Sequence, residues 1–320
     1  MDETYEKICS LENLFLAWEN FRRGKRSKPD VMAFGHYLED NLFALREELL
    51  EETYRHNPYE PFTIFDPKKR QIHKATVKDR IVHQALLQVI EPFFENRFIF
   101  DSYSCRVGKG THKAVKRLRI FQQKASLNDT RTVYALKCDI RKFFASVSHA
   151  KLFELLDRRI GDRKTMRLLS EVITSFSTEE GRGIPLGNLT SQLFANVYLH
   201  ELDYFVKHDL SKRYYLRYCD DFIVLSDSRR HLQDLIPQID SFLAERLSLG
   251  LHPDKTFIRT WRQGIDILGY VLMPHATVLR SKTVNRMMKR ISVENVASYL
   301  GLCHHADAHE LSQIIRTKVA

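Results

Sequence analysis

The chain has little cysteine and no long apolar run, and these two shortages narrow its class before any motif is read. Its five cysteines, at positions 9, 105, 138, 219 and 303, show no CxxC spacing, and several lie in apolar stretches. That argues against a disulfide framework or a zinc knuckle and for a reducing cytoplasm. No apolar run reaches the length of a membrane span, and Met1-Asp2-Glu3 opens acidic, without the basic and apolar regions of a signal peptide. The expectation is a cytoplasmic location and no membrane partner. Pro/Gly/Ser linkers, low-complexity tracts and repeats are also missing, which leaves domain boundaries soft.

What is present is a basic chain with enough apolar residues for a substantial core. Lys and Arg total 50 against 40 acids, a net charge of +10, which suits a polyanionic partner but also suits a basic protein with none. With 43% hydrophobic residues over 320 positions, two or three subdomains fit better than one small module.

Tyr218-Cys219-Asp220-Asp221 is the most informative stretch. Two adjacent carboxylates sit between Tyr214-Tyr215-Leu216-Arg217-Tyr218 and Phe222-Ile223-Val224-Leu225, two β-prone runs that read as the arms of a hairpin. Taken alone, paired Asp in a turn serves turn chemistry or a helix cap. A second strand changes the weighing. From Val133 to Ile140 the sequence alternates, placing Asp139 with Val133, Ala135 and Lys137, opposite a face of Tyr134, Leu136, Cys138 and Ile140. If that strand pairs beside the hairpin, Asp139, Asp220 and Asp221 can converge on two magnesium ions about 4 Å apart. Crowded carboxylates raise one another's pKa, whereas hard Mg²⁺ prefers oxygen ligands and keeps positions open for substrate phosphates.

These residues carry a family resemblance. The strand ending in Asp139 with two aromatics close behind it, the Gly183 to Asn196 segment and the Tyr-Cys-Asp-Asp hairpin resemble, in order and spacing, three palm motifs of reverse transcriptases. More narrowly, Gly183-Ile184-Pro185-Leu186-Gly187-Asn188-Leu189-Thr190-Ser191-Gln192 resembles reverse transcriptases of diversity-generating retroelements; most other relatives have QG at Leu186-Gly187 and SP at Ser191-Gln192. The likeness runs from about Leu11 to the C-terminus and takes in Pro67 to Ile72, Asp79 to His83, Asp101 to Arg106 and Ile267 to Tyr270, leaving no appended domain. It implies an α+β right-hand polymerase with fingers, an antiparallel palm sheet and a short helical thumb. The expected divisions are an N-terminal helical extension at 1–60, fingers at 61–135, a palm at 136–274 with finger helices around 150–182, and a thumb at 275–320.

Pattern supplies the coarser elements. Residues 6–56 read as helical, interrupted by a basic stretch from Phe21 to Pro29; residues 60–75 read as extended and basic. Val82, Leu86, Val89 and Phe93 mark one helix face, and Ala195, Leu199, Leu202 and Val206 another, which by resemblance backs the palm sheet. Helices are also expected over 111–126 and 150–176, and the last 46 or so residues read as basic and helical.

Lys68 and Arg70 follow a turn at Pro67, where cations can clamp an incoming triphosphate, Arg70 with its planar fork; the duller role is surface solvation. Arg80 is a weaker candidate, since Asp79-Arg80 at a helix start also reads as capping and an ion pair. The resemblance implies that Phe144 is the steric gate against a ribose 2′-hydroxyl, with Phe143 as core, that Leu186 and Gly187 lie at the nucleotide, and that Lys255 protonates the leaving pyrophosphate. It also implies that Leu268-Gly269-Tyr270 is the primer grip, and that Asp139, Asp220 and the Ile140 carbonyl hold metal, with Asp221 ligating less directly. His305 and His309 would share a helix face at i, i+4, but zinc is rejected because no second ligand pair lies at useful spacing.

The implied activity is RNA-directed DNA synthesis with two Mg²⁺ ions, copying a template-repeat RNA with mutagenesis at adenines to diversify a variable gene. The implied partners are template RNA, cDNA primer and product, deoxynucleotides and a small basic accessory variability protein, a pentamer, in a bacterial, archaeal or phage-encoded setting. The alternatives are a group II intron-like or host-defence reverse transcriptase and, from another class, a non-catalytic RNA-binding scaffold.

Overall fold

The structure is a computed structural model that describes residues 3–65 and 69–319. It divides into two compact units, each assembled from separate stretches of sequence.

The first unit comprises Met1–Ile99, Arg141–Tyr204 and Phe242–Gly250. Helices Glu3–Cys9, Leu11–Arg22, Pro29–His36 and Leu38–Leu50 fill the expected N-terminal helical region. Ser10 caps the second by accepting from the Asn13 N–H, and Pro29 opens the third, where a missing N–H costs nothing. An antiparallel ribbon follows, β1 (Glu60–Ile64) paired with β2 (Arg70–Lys74), Ile64 opposite Arg70. In helix Val77–Glu95 the buried residues include Ile81, Val82, Ala85, Leu86, Ile90 and Phe94, whereas Phe93 is 39% exposed. So much of that helix is apolar that tertiary packing, rather than period, selects its buried face.

The expected helix over 150–176 is two. Gly161 at φ 61° ends His149–Ile160, and Asp162 caps Arg163–Thr174 through the Lys164 N–H. Helix Leu189–Tyr204 buries Ala195, Leu199 and Leu202 as expected, and Leu193, Phe194, Val197 and Tyr198 as well. Val206 falls beyond it, in a π turn.

The second unit comprises Phe100–Ile140, Phe205–Ser241 and Leu251–Ala320. Its antiparallel sheet runs β4-β5-β3-β6, where β3 is Tyr134–Asp139, β4 Tyr215–Tyr218, β5 Asp221–Ser226 and β6 Phe257–Thr260. β3 is thus central, paired with β5 and β6. Both its faces are covered near the middle, since Ala135 and Leu136 are each buried. Val133, Ala135, Leu216, Ile223 and Leu225 join Leu118 and Phe121 of helix Thr111–Ala125 in one core, which continues through Trp261 and Tyr270 to Met287, Cys303 and Ile315. Burying a side chain of this size contributes roughly 1.5–3 kcal/mol before entropy is counted.

A second small sheet, β7 (Ile265–Ile267), β8 (Tyr270–Leu272) and β9 (Thr277–Leu279), leads into helices Ser281–Arg290, Val296–Cys303 and His309–Val319. The expected C-terminal helices therefore begin only after a strand. No helix among the described residues is long and apolar enough to cross a membrane.

Candidate active site

The three carboxylates come together within the second unit. Asp139 is the last residue of β3 and Asp221 the first of β5, and the ladder makes them direct partners. Cys219 and Asp220 form the two-residue turn between β4 and β5, closed by the Tyr218–Asp221 pair. Cys219 sits at φ 55°, a left-handed conformation that glycine usually supplies at this place in a tight hairpin. The Ile140 N–H donates to the Asp220 carbonyl at 3.2 Å, and His252 N–H donates to the Asp139 carbonyl at 2.8 Å. Those bonds tie the turn and the chain before β6 to the tip of β3.

Charge at this tip is poorly screened by solvent. Burial pushes Asp221 up to about 6, with Asp220 and Asp139 adding to the rise and Lys137 and Lys255 opposing it. Asp220 is raised too, mainly by burial and further by Asp139. Lys255, in the short turn Pro253–Lys255, reaches back to Asp139, its Nζ 2.7 Å from Oδ1. Among the described residues, no three His, Cys, Asp or Glu side chains are set as a ready-made metal cage.

Sequence reading missed the support beneath the turn. Arg217 of β4 is wholly buried, with Nη1 donating to the Cys219 carbonyl at 3.0 Å and Nη2 to the Ser102 hydroxyl at 3.1 Å. Main-chain bonds flank the Ser102 contact: Arg217 N–H to the Asp101 carbonyl and Tyr103 N–H to the Arg217 carbonyl, each at 3.0 Å. Asp101 itself is held by Arg117 at 2.8 Å and Lys207 at 2.9 Å. The available signal was a lone cation inside an otherwise apolar and aromatic strand run.

Other expected residues lie in the first unit. Arg70 is exposed at the end of the ribbon where the chain passes from β1 to β2, and Lys68 lies outside the described residues. Phe144 is half-buried while Phe143 is buried, its ring edge-on to Phe144 and to Tyr198. The Phe144 carbonyl accepts from Ile184 N–H at 2.8 Å. Leu186 is half-buried, and its carbonyl accepts from His73 N–H at 3.2 Å, which seats the Leu186-Gly187 turn on β2. Gly187 has φ 103°, and a Cβ there would come 2.7 Å from Ile72 Cγ2. Arg80 pairs with Asp30 at 2.6 Å rather than with its neighbour Asp79, whose carboxylate accepts from Tyr54 and Thr76.

Leu268 and Gly269, at φ 54° and 92°, make the tight turn between β7 and β8. Tyr270 is buried, with its hydroxyl donating to the Leu302 carbonyl at 3.2 Å. His305 and His309 do not share a helix face: the helix ends at Cys303 and the next begins at His309. His305 instead stacks on His112, ring centroids 3.6 Å apart.

A central strand ending in an acid, beside a hairpin with two more at its turn, defines the palm of a right-hand nucleic-acid polymerase. The family model described as reverse transcriptase (RNA-dependent DNA polymerase) matches residues 65–272, and the chain belongs to that family. Protein YkfC of Escherichia coli is 26% identical over 275 residues, covering 72% of this chain and 70% of that protein. The group II intron-encoded protein LtrA of Lactococcus lactis is 24% identical over 360 residues, covering 89% of this chain and 58% of LtrA. Among solved structures, apo telomerase from Candida tropicalis has a TM-score of 0.56 at 12% identity, over 80% of this chain and 54% of that one. Telomerase from Candida albicans with a TWJ fragment of telomeric RNA has 0.55 at 12% identity, over 78% and 51%. At such identities the likeness is one of fold. The chain spans little more than half the length of the intron protein and of these telomerases.

Proposed function

We propose that this reverse transcriptase extends a DNA primer on an RNA template, with the chemistry at Asp139, Asp220 and Asp221. The observation that carries this reading is the pairing of Asp139 with Asp221 across β3 and β5, with the Asp220 carbonyl bonded to Ile140. The donor set suits a hard divalent cation: two acids here sit above their usual range, and Mg²⁺ needs only one or two protein carboxylates beside substrate phosphates. Asp139, Asp220 and the Ile140 carbonyl, with Asp221 less directly, would hold two Mg²⁺ ions, whose charge stabilises the attacking and leaving oxygens. The primer 3′-hydroxyl oxygen attacks the α-phosphate of a deoxynucleotide and loses its proton to solvent; the new P–O bond forms as the bond from the α-phosphorus to the bridging oxygen breaks, and pyrophosphate leaves. Lys255 stands beside Asp139 as the proton donor to that leaving group. Lys68 and Arg70 clamp the triphosphate, Leu186 and Gly187 line the nucleotide site, Phe144 gates the sugar, and Leu268-Gly269-Tyr270 grips the primer. In this reading 61–135 serve as fingers, 136–274 as palm and 275–320 as thumb, in a cytoplasmic enzyme. Primer extension by the purified chain with Mg²⁺, an RNA template and deoxynucleotides tests it; no incorporation above an Asp220→Ala control rejects it.

The finer reading is a diversity-generating retroelement enzyme that copies a template-repeat RNA with errors at adenines and works with a pentameric accessory protein. It is supported by Leu186 and by Ser191-Gln192, where most reverse transcriptases differ. A second reading, an intron-type reverse transcriptase, is favoured by the likeness to LtrA along 89% of the chain. Sequencing cDNA from one defined template separates them: errors concentrated opposite adenine support the first, an even error spectrum the second.

A further inference from the structure

We propose that Arg217 is a positioning residue of the catalytic turn: its buried guanidinium, anchored on Ser102, holds the Cys219 carbonyl and so fixes the direction in which Asp220 and Asp221 leave the hairpin. The inference rests on the polymerase reading above and adds to it a residue that touches none of the reacting atoms.

The position invites an apolar side chain. Arg217 lies mid-run in a strand whose neighbours Tyr215 and Leu216 are buried, and its own side chain is wholly removed from solvent. A guanidinium in such a place must spend its donors on fixed acceptors, since an unsatisfied buried cation is strongly destabilising. Two of those donors reach partners of different kinds. One is Ser102, on a segment that is bridged in parallel to Arg217 and held by main-chain bonds on either side. The other is the carbonyl of Cys219, two residues ahead, inside the turn itself.

That carbonyl belongs to the residue bearing the strain. At φ 55° the Cys219 Cβ crowds its own backbone, and a non-glycine residue keeps such a conformation only where its surroundings over-determine it. Two bonds do so here, Arg217 to the Cys219 carbonyl and Ile140 N–H to the next carbonyl, that of Asp220. Rotating the Cys219 peptide would break the first and re-aim Asp220, which follows it, relative to the ladder pair Asp139–Asp221. The fork of an Arg presents donors in fixed directions to Ser102 and Cys219, whereas the rotatable donors of a Lys ammonium sit on one atom and fix neither direction.

Four variants test this with the full-length chain: Ser102→Ala, Arg217→Lys, Cys219→Gly and Arg217→Lys combined with Cys219→Gly. Single-nucleotide incorporation is measured alongside the melting temperature. Since a misplacement of about 1 Å can cost on the order of a hundredfold in rate, Arg217→Lys is expected to lower kcat by at least about tenfold with KM for deoxynucleotide within about twofold, and Ser102→Ala to lower it by roughly threefold. Glycine adopts the left-handed conformation without strain, so Cys219→Gly in the Arg217→Lys background is expected to restore a measurable part of kcat. A residue that merely fills the core would show no such rescue. An unaltered kcat in Arg217→Lys overturns the inference, as does a loss that tracks melting temperature and is untouched by Cys219→Gly. A parent protein that fails to extend any primer overturns the polymerase reading instead, and the inference with it.

Discussion

Lys255 Nζ lies 2.7 Å from Asp139 Oδ1, an ion pair that joins the turn before β6 to the tip of β3. With 43% of the lysine side chain exposed, the pair contributes little stability, on the order of 1 kcal/mol or less. A large effect of replacing it would therefore report chemistry. Lys255→Ala is expected to slow incorporation by about a hundredfold, as general acids commonly do. Lys255→Arg keeps the charge but cannot give up its proton, so it should recover melting temperature and not rate. Equal rates for Lys255→Arg and the parent would reduce the lysine to a counter-charge.

Asp139→Ala or Asp220→Ala should abolish incorporation, by at least about a hundredfold, because each removes an oxygen from the site of charge stabilisation. Folding should survive: the freed Lys255 can be solvated where it stands, and the bonds that Ile140, His252 and Arg217 make at the turn do not use the replaced carboxylates. Circular dichroism and primer extension on the same preparation check both halves, and near-parental extension by the double variant would sink the assignment.

How much of this was legible in the sequence varies by element. The hairpin and the strand ending at Asp139 could be read because alternation and turn chemistry are local signals. The same alternation suggested one packed face on β3, but its centre is buried on both, since a central strand has neighbours that its own sequence does not record. The split near Gly161 has its signal in the Gly-Asp pair, a left-handed helix stop followed by a helix cap. Arg217 could not be placed by pattern, because its role depends on Ser102, 115 positions away.

Phe144→Ala is expected to admit ribonucleotides while sparing deoxynucleotide use, because the half-buried ring has free surface with which to fill the space a 2′-hydroxyl would need. Phe143→Ala should instead cost about 3–5 kcal/mol of stability, the usual penalty for emptying a buried phenyl site. Competition between the two nucleotide types, read beside thermal melts, distinguishes gate from core.

Leu186→Gln tests the fidelity reading. An amide at this half-buried position can hydrogen-bond the incoming nucleotide and sharpen its pose by about 1 kcal/mol, which leucine cannot do. The expected result is fewer errors opposite template adenine, with less change at the other three bases, in cDNA sequenced from one template. An unchanged adenine error rate in an active variant refutes the proposal.

Gly187→Ala should destabilise the first unit by about 1–3 kcal/mol, since the residue would be strained at φ 103° and its Cβ would lie 2.7 Å from Ile72. Ile72→Ala should return only the part due to the clash. Denaturant melts of both single variants and the double check the split.

Acid should weaken the same unit through His83. Burial holds this imidazole down at about 3, far below its ordinary 6.5, with neighbouring His56 adding to the effect. The unfolded chain therefore binds a proton that the folded one does not, so stability is complete above about 6.5 and falls as pH drops toward 3, by at most about 1.4 kcal/mol per pH unit from this group. His83→Gln should flatten that slope in urea midpoints measured between those limits, and an unchanged slope would point to other groups.

The discontinuity of the second unit bears on how the chain is made. β3 is complete by Asp139, yet its neighbours β5 and β6 begin only at Asp221 and Phe257. During synthesis, both edges of this strand stay open until β5 starts at Asp221, and one edge stays open until β6 starts at Phe257, the condition under which strands pair with the wrong partner. Nascent chains halted before Phe257 should therefore aggregate and bind chaperones more than chains released after Thr260. The three acids are brought together late, by long-range pairing, and a ribosome that stalls before Asp221 leaves a strand with nothing to pair.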